Sequence, residues 1–178
     1  MNKLYIFVEG DYDEKFFSNI IKSKFEKKGY FVKIMKYAEQ TKEYVKNFIK
    51  SINAIPNADY IFLADINSEP CITLKKQELK RRYENLDTNK IIVVKKEIES
   101  WYLAGLDQTK LKKLKIKFTN KNHYYNTESI TKEEFEKLIP DNLKRTEFYL
   151  SILENFCIDT ACQKNKTFNY FIKKYNIF

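Results

Sequence analysis

The sequence predicts an α/β fold: a mainly parallel four-stranded sheet with helices on both faces, followed by a helical C-terminal extension. Three observations predict it. Short apolar runs rich in aromatic and β-branched residues stand at 4–8, 31–37, 60–64 and 91–94, and such runs read as strands. Between them, apolar positions recur at helical spacing. Strands that alternate with helices of a dozen or so residues build βαβ units and a parallel sheet.

The first strand, Leu4 to Val8, is apolar throughout and stops on Glu9-Gly10. Gly10, one of three glycines, predicts a tight, close-packed backbone at this turn. Asp11 and Glu14 have capping-box spacing, and Phe16, Phe17, Ile20, Ile21 and Phe25 then share one helical face. Gly29 ends that helix, and the run from Phe31 to Tyr37 mixes apolar residues with lysine, which suits an edge strand. Thr41 can cap a second helix bearing Tyr44, Val45, Phe48, Ile49 and Ile52. After the break at Pro56-Asn57, Tyr60 to Ala64 forms a second fully apolar strand, which also ends on a carboxylate, Asp65. Pro70 suits the first turn of a helix running to about Leu86. Ile91 to Val94 is the fourth strand, and a short helix containing Glu97, Glu99, Trp101, Tyr102 and Leu103 follows it.

The two most apolar strands, the first and third, belong at the centre, giving the order 2-1-3-4. Their carboxyl ends then open a crevice of the kind that binds ligands in open α/β sheets. Neighbouring strands lie about 4.8 Å apart, so Glu9 and Asp65 are expected to face each other there. Two ionised carboxylates at that separation repel. A bound Mg²⁺ ion or a shared proton would relieve the repulsion.

Beyond Gly105 the alternation stops, so residues 1–107 are expected to form the α/β core and 108–178 a lysine-rich loop and helical extension packed on the same domain. From Gln108 to Asn126 there are six lysines and no acid (Lys110, Lys112, Lys113, Lys115, Lys117, Lys121), with Phe118, Tyr124 and Tyr125 interspersed. They form either a solvated face or an arm that contacts phosphates and stacks bases. Thr131 and Glu134 form a second capping box. Further helices carry Phe148, Tyr149, Ile152, Leu153 and Phe156, then Phe168, Phe171, Ile172 and Tyr175.

A net charge of +9 favours polyanionic partners without identifying one. No apolar run approaches the roughly 20 residues that span a bilayer, and the N-terminus lacks a signal-peptide layout; a cytoplasmic location and no membrane partner are the expectation. The three cysteines have no metal-finger spacing, and His123, the single histidine, is expected at the surface. Zinc sites and histidine-based triads are thereby disfavoured.

With these residues placed, the pattern resembles a Toprim domain, the metal-binding fold of topoisomerases, primases, recombination proteins and overcoming-lysogenization-defect nucleases. Toprim domains place a glutamate after strand 1, often followed by glycine, and a D-x-D motif after strand 3. Val8-Glu9-Gly10-Asp11-Tyr12-Asp13 matches the first element, and Asp65-Ile66-Asn67 matches the second with an amide in place of its second acid. The Toprim part covers roughly residues 1 to 105. The whole chain is similar to small, stand-alone Toprim-like proteins, through Glu99-Ser100-Trp101-Tyr102-Leu103-Ala104 and Asn165-Lys166-Thr167-Phe168.

The resemblance implies a Mg²⁺-dependent nuclease or phosphoryl-transfer enzyme acting on nucleic acid, with Mn²⁺ as an alternative ion, a role in genome defence and an ATPase as a candidate partner. It implies Glu9 as the catalytic acid or base, able to bridge to metal, and Asp65 and Asn67 as metal ligands. Glu69 and Glu99 are candidates for the carboxylate that Asn67 lacks, with Asp11 and Asp13 also within reach. Lys112, Lys113, Lys115, Lys117 and Tyr124 are the candidate nucleic-acid contacts. The alternative is a degenerate, non-catalytic module that binds nucleic acid or a partner protein. Turn and capping roles for Asn67 and Glu69, a core role for Trp101 and a helix-start role for Asn165 are the simpler readings of those residues.

Overall fold

Because Leu4 to Val8 of β1 (Asn2–Val8) are apolar on both faces, the strand takes an interior place in the sheet. The computed structural model describes residues 1–177, with four parallel strands in the order β2-β1-β3-β4. β2 (Tyr30–Lys36) lies on one side of β1 and β3 (Ala58–Asp65) on the other, with Phe7 level with Met35 and with Phe62. β4 (Ile91–Val94) completes the sheet beside β3. The fold is α/β, and this order is the one the apolar content of the strands predicts.

Two compact units divide the chain, Met1–Val93 and the remainder from Val94. The division therefore falls within β4, ahead of the 107/108 boundary suggested by the loss of strand–helix alternation.

In the first unit, one sheet face carries Phe7, Tyr60, Phe62, Ala64, Ile91 and Val93. It packs against Val45, Ile49 and Ile52 of α3 (Lys42–Ala54) and Leu79 of α4 (Ile72–Arg82). Each such fully buried side chain contributes about 1.5–3 kcal/mol. Leu4, Ile6 and Val8 alternate to the other face. The first helical segment runs against β2: α1 (Asp11–Phe16), a π-helical turn (Phe17–Ile21) and α2 (Lys22–Lys27).

Local details depart from expectation at the start of that helix. Gly10, not Asp11, is the N-cap residue, and the Asp13 carboxylate accepts its N–H at 3.2 Å. A Cβ on Gly10 would meet nothing nearer than Asp13 Oδ2 at 3.9 Å, so the turn is roomier than its glycine suggested. Gly29, by contrast, needs its residue type, with φ at +84° just past α2. Thr41 caps α3 by accepting the Tyr44 N–H at 3.2 Å. α4 begins at Ile72, past Pro70, and ends at Arg82 rather than near Leu86.

The second unit is helical: α5 (Glu99–Ala104), α6 (Gln108–Lys113), α7 (Lys132–Glu136), α8 (Arg145–Glu154), α9 (Ile158–Lys164) and α10 (Lys166–Lys174). Thr131 and Glu134 exchange the expected capping-box bonds, at 3.0 and 3.3 Å. Trp101, Tyr102, Phe135, Phe148, Phe168 and Phe171 fill its interior. Among the described residues no helix is long and apolar enough to cross a membrane.

Gly105 follows α5 at a point of close approach, where an added Cβ would lie 2.2 Å from the Phe156 ring. Gly105→Ala is therefore expected to destabilise the second unit by about 1–3 kcal/mol through overpacking. Urea unfolding followed by Trp101 fluorescence measures the loss.

Candidate functional site

At the carboxyl edge of the sheet, the end of β2 turns Tyr37 toward the end of β1. The Tyr37 N–H donates to Val8 O at 2.9 Å, extending the strand pairing by one step. Its ring, on the Phe7 side of the sheet, stacks on Phe62 with centroids 4.5 Å apart. This fixes the phenol where its O–H donates to Glu9 Oε2 at 3.4 Å. Glu9 itself is half-buried just past β1.

Burial, first, and then the charges of Glu9, Asp65 and Asp13 push the Tyr37 phenol far above its ordinary range. Three carboxylates from two strand ends and a helix start thus act on one buried hydroxyl, which stays protonated and a donor. Asp13 is buried in the first turn of α1, and Asp65 is half-buried as the last residue of β3.

A second charge cluster flanks this one. Lys36 Nζ lies 2.7 Å from Asp11, 2.6 Å from Glu39 and 3.9 Å from Glu14. Hydrogen bonds that the Lys36 ammonium donates to Asp11 and Glu39 hold it charged well above its usual range, and Lys36 holds the Asp11 carboxyl down. These groups are solvated, so their value is orientation of the α1 start more than stability.

The other expected ligands sit differently. Asn67 is exposed in a tight turn with φ +52°, where Glu69 N–H donates to Ile66 O at 3.2 Å. Asparagine tolerates that backbone conformation well, so its residue type follows from the turn. Glu69 is half-buried in the same turn. Glu99 belongs to the second unit, buried, and accepts the Tyr149 hydroxyl at 2.6 Å. Burial raises its carboxyl above the ordinary range, with the Tyr149 bond opposing.

The charged side chains that act on Tyr37 offer carboxylate oxygens, a donor type whose chemistry fits a hard divalent cation. Among the described residues, no three His, Cys, Asp or Glu side chains form a ready-made metal-holding group.

The basic segment splits. Lys112, Lys115, Lys117 and Tyr124 line one concavity in the second unit, whereas Lys113 donates to Asn155 Oδ1 at 3.2 Å. Phe118, expected as a stacking surface, is buried and supports Tyr124 edge-on at 5.0 Å. His123 is a correction of a different kind. It is buried rather than superficial, its ring edge-on to Phe118 at 5.8 Å, because an aromatic-rich loop closes on itself.

Trp101 and Asn165 prove structural. Asn165 caps α10 by accepting Phe168 N–H at 2.9 Å, and its amide donates to Ser100 and Thr127 at 3.4 and 3.3 Å. The Trp101 indole donates to Thr167 Oγ1 at 3.0 Å. Tyr37 is the member of the carboxylate site that the sequence reading missed. The predicted pairing of strands 1 and 2 was the signal for it, since it brings the residue after β2 beside Glu9.

No family model matches the chain, and neither a curated protein nor a solved structure matches it.

One buried cation in the second unit gives a pH signature. Burial lowers the Lys164 ammonium to about 8, and its Nζ donates to Leu106 O at 2.8 Å. Its folded pKa lies below the unfolded value of 10.5, so the unfolded state binds the proton more tightly. Stability attributable to Lys164 must rise as pH climbs from about 8 to 10.5. The stability of the parent relative to Lys164→Met is expected to grow across that window, on the order of 2 kcal/mol after solvent screening. Paired denaturant titrations at pH 7, 8.5 and 10 measure the difference.

Proposed function

We propose that the chain is a Toprim-like, Mg²⁺-dependent enzyme that cleaves or transfers phosphodiesters in nucleic acid in the cytoplasm. The placement of Glu9 and Asp65 at the carboxyl ends of neighbouring parallel strands, with Glu9 held by the Tyr37 hydroxyl, carries this reading. Open parallel sheets bind ligands at that edge. Glu9 and Asp65 would hold the ion, since one or two carboxylates suffice for Mg²⁺. Mn²⁺ satisfies the same oxygen donors. When bound, such an ion neutralises phosphoryl charge and acidifies a water molecule.

The chain's own groups divide the remaining work. Glu9, as general base, takes the proton of a water whose oxygen bonds to phosphorus while the bond to the leaving sugar oxygen breaks. Solvent returns a proton to that leaving oxygen. Tyr37, held protonated, fixes one Glu9 oxygen and so orients the other. A partner ATPase and a role in genome defence belong to this reading through the resemblance alone.

Asn67 favours a second reading, a module that binds without turnover, because this exposed turn residue brings an amide where Toprim domains bring an acid.

Titration with Mg²⁺ and Mn²⁺ while following Tm separates the two. The enzyme reading expects a saturable rise, since a ligand at a hundred times its Kd adds about 2.7 kcal/mol, roughly 5–10 °C for a chain of this size. Glu9→Gln and Asp65→Asn are each expected to abolish it. No shift at millimolar metal would leave the binding module in front.

A further inference from the structure

We propose that the concavity beside α6 is a binding site for single-stranded nucleic acid. In it, Lys112, Lys115, Lys117 and Lys121 take the phosphates and Tyr125 stacks a base. The proposal rests on the reading above for the kind of polymer, but it needs no metal ion.

The first observation is charge. Four lysines line the concavity, no acid does, and none of the four is ion-paired among the described residues. Four ammonium groups around one hollow repel one another, and a polyanion removes that repulsion while releasing its own counterions. Lys110 and Lys113, which do have partners in Asp107 and Asn155, are absent from the lining.

The second observation is what lies among the lysines. The hollow encloses about 790 Å³, with buried Leu111 and Ile116 in its lining. Tyr124 stands half-buried against Phe118, whereas the neighbouring Tyr125 leaves 72% of its surface exposed. An inorganic anion makes no use of a free aromatic ring. Nor does a duplex, whose base faces are already stacked. Single strands present both an anionic backbone and open π-faces, which lysines interleaved with tyrosines suit.

The third observation is backbone strain at the centre of the lining. α6 ends in a Schellman motif, with Ile116 N–H donating to Leu111 O at 2.9 Å and Lys115 N–H to Lys112 O at 3.1 Å. The residue between must be left-handed, and Lys115 adopts φ +57°. Glycine is the usual occupant. A lysine held there against its preference points to a role for the side chain.

The test is fluorescence anisotropy of labelled 15-mer oligo-dT and oligo-U against the full chain in EDTA, beside a duplex of equal length and polyphosphate. The expected order is single strands at least tenfold tighter than duplex or polyphosphate. Tyr125→Ala should weaken single-strand binding about tenfold while leaving polyphosphate unchanged. Lys112→Ala/Lys117→Ala should flatten the salt dependence by about 0.7 per lysine lost. Lys115→Gly should raise Tm and yet weaken binding, which a purely structural lysine would not do. Equal affinity for duplex or polyphosphate, or binding indifferent to Tyr125→Ala, overturns the proposal, as does no binding at 50 mM salt. Because binding is read in EDTA, failure of the metal site shows only in the thermal titration, and failure of this site only in the anisotropy.

Discussion

Burial of β1 on both faces is the constraint on which the first unit depends. In the stretch from Leu4 to Val8, with Phe7 facing one helical layer and Ile6 and Val8 facing the other, a charged side chain would be buried at high cost. Glu9 therefore comes only past that stretch, and Asp65 likewise follows the buried run from Tyr60 to Ala64 in β3. Parallel pairing then sends both acids to one edge. Tyr37 meets them there because β2, also parallel, ends at that edge and stacks its last aromatic on Phe62. The candidate site is thus a consequence of how the core is packed.

At that edge Glu9 accepts one long hydrogen bond from the Tyr37 hydroxyl. The second unit resolves its buried polarity differently. Asn165 spends its amide on Ser100, Thr127 and the start of α10, Thr167 receives the Trp101 indole, and Glu99 accepts Tyr149. A closed network of this kind fixes one arrangement of the helices and leaves the chemistry to be sought elsewhere.

Much of the first unit was legible because its signals are periodic. Strand order followed from which runs were apolar on both faces, and the α3 face from Val45, Ile49 and Ile52. The π-helical turn at Phe17–Ile21 was not legible, since it inserts into an apolar stripe without breaking it. Nor was the cap at Gly10, because Asp13 works from three residues downstream as a bond to the backbone. In the second unit α9 (Ile158–Lys164) escaped, being short and weakly patterned. His123 and Phe118 were misjudged because a polar, lysine-rich segment conceals the few side chains that turn inward. Of the candidate site, Glu9 and Asp65 could be read from strand ends. Tyr37 could not be seen as a partner until the strands were paired.

Paramagnetic relaxation by Mn²⁺ tests the central claim most directly, because it reports position rather than mere binding. In a ¹⁵N-labelled sample, substoichiometric Mn²⁺ should broaden the amides of Glu9 through Asp13, Tyr37 and Asp65 first, and Glu9→Gln should remove the effect. Broadening scattered over solvent-exposed acids such as Glu84 and Asp141, with the amides around Tyr37 left sharp, would contradict it.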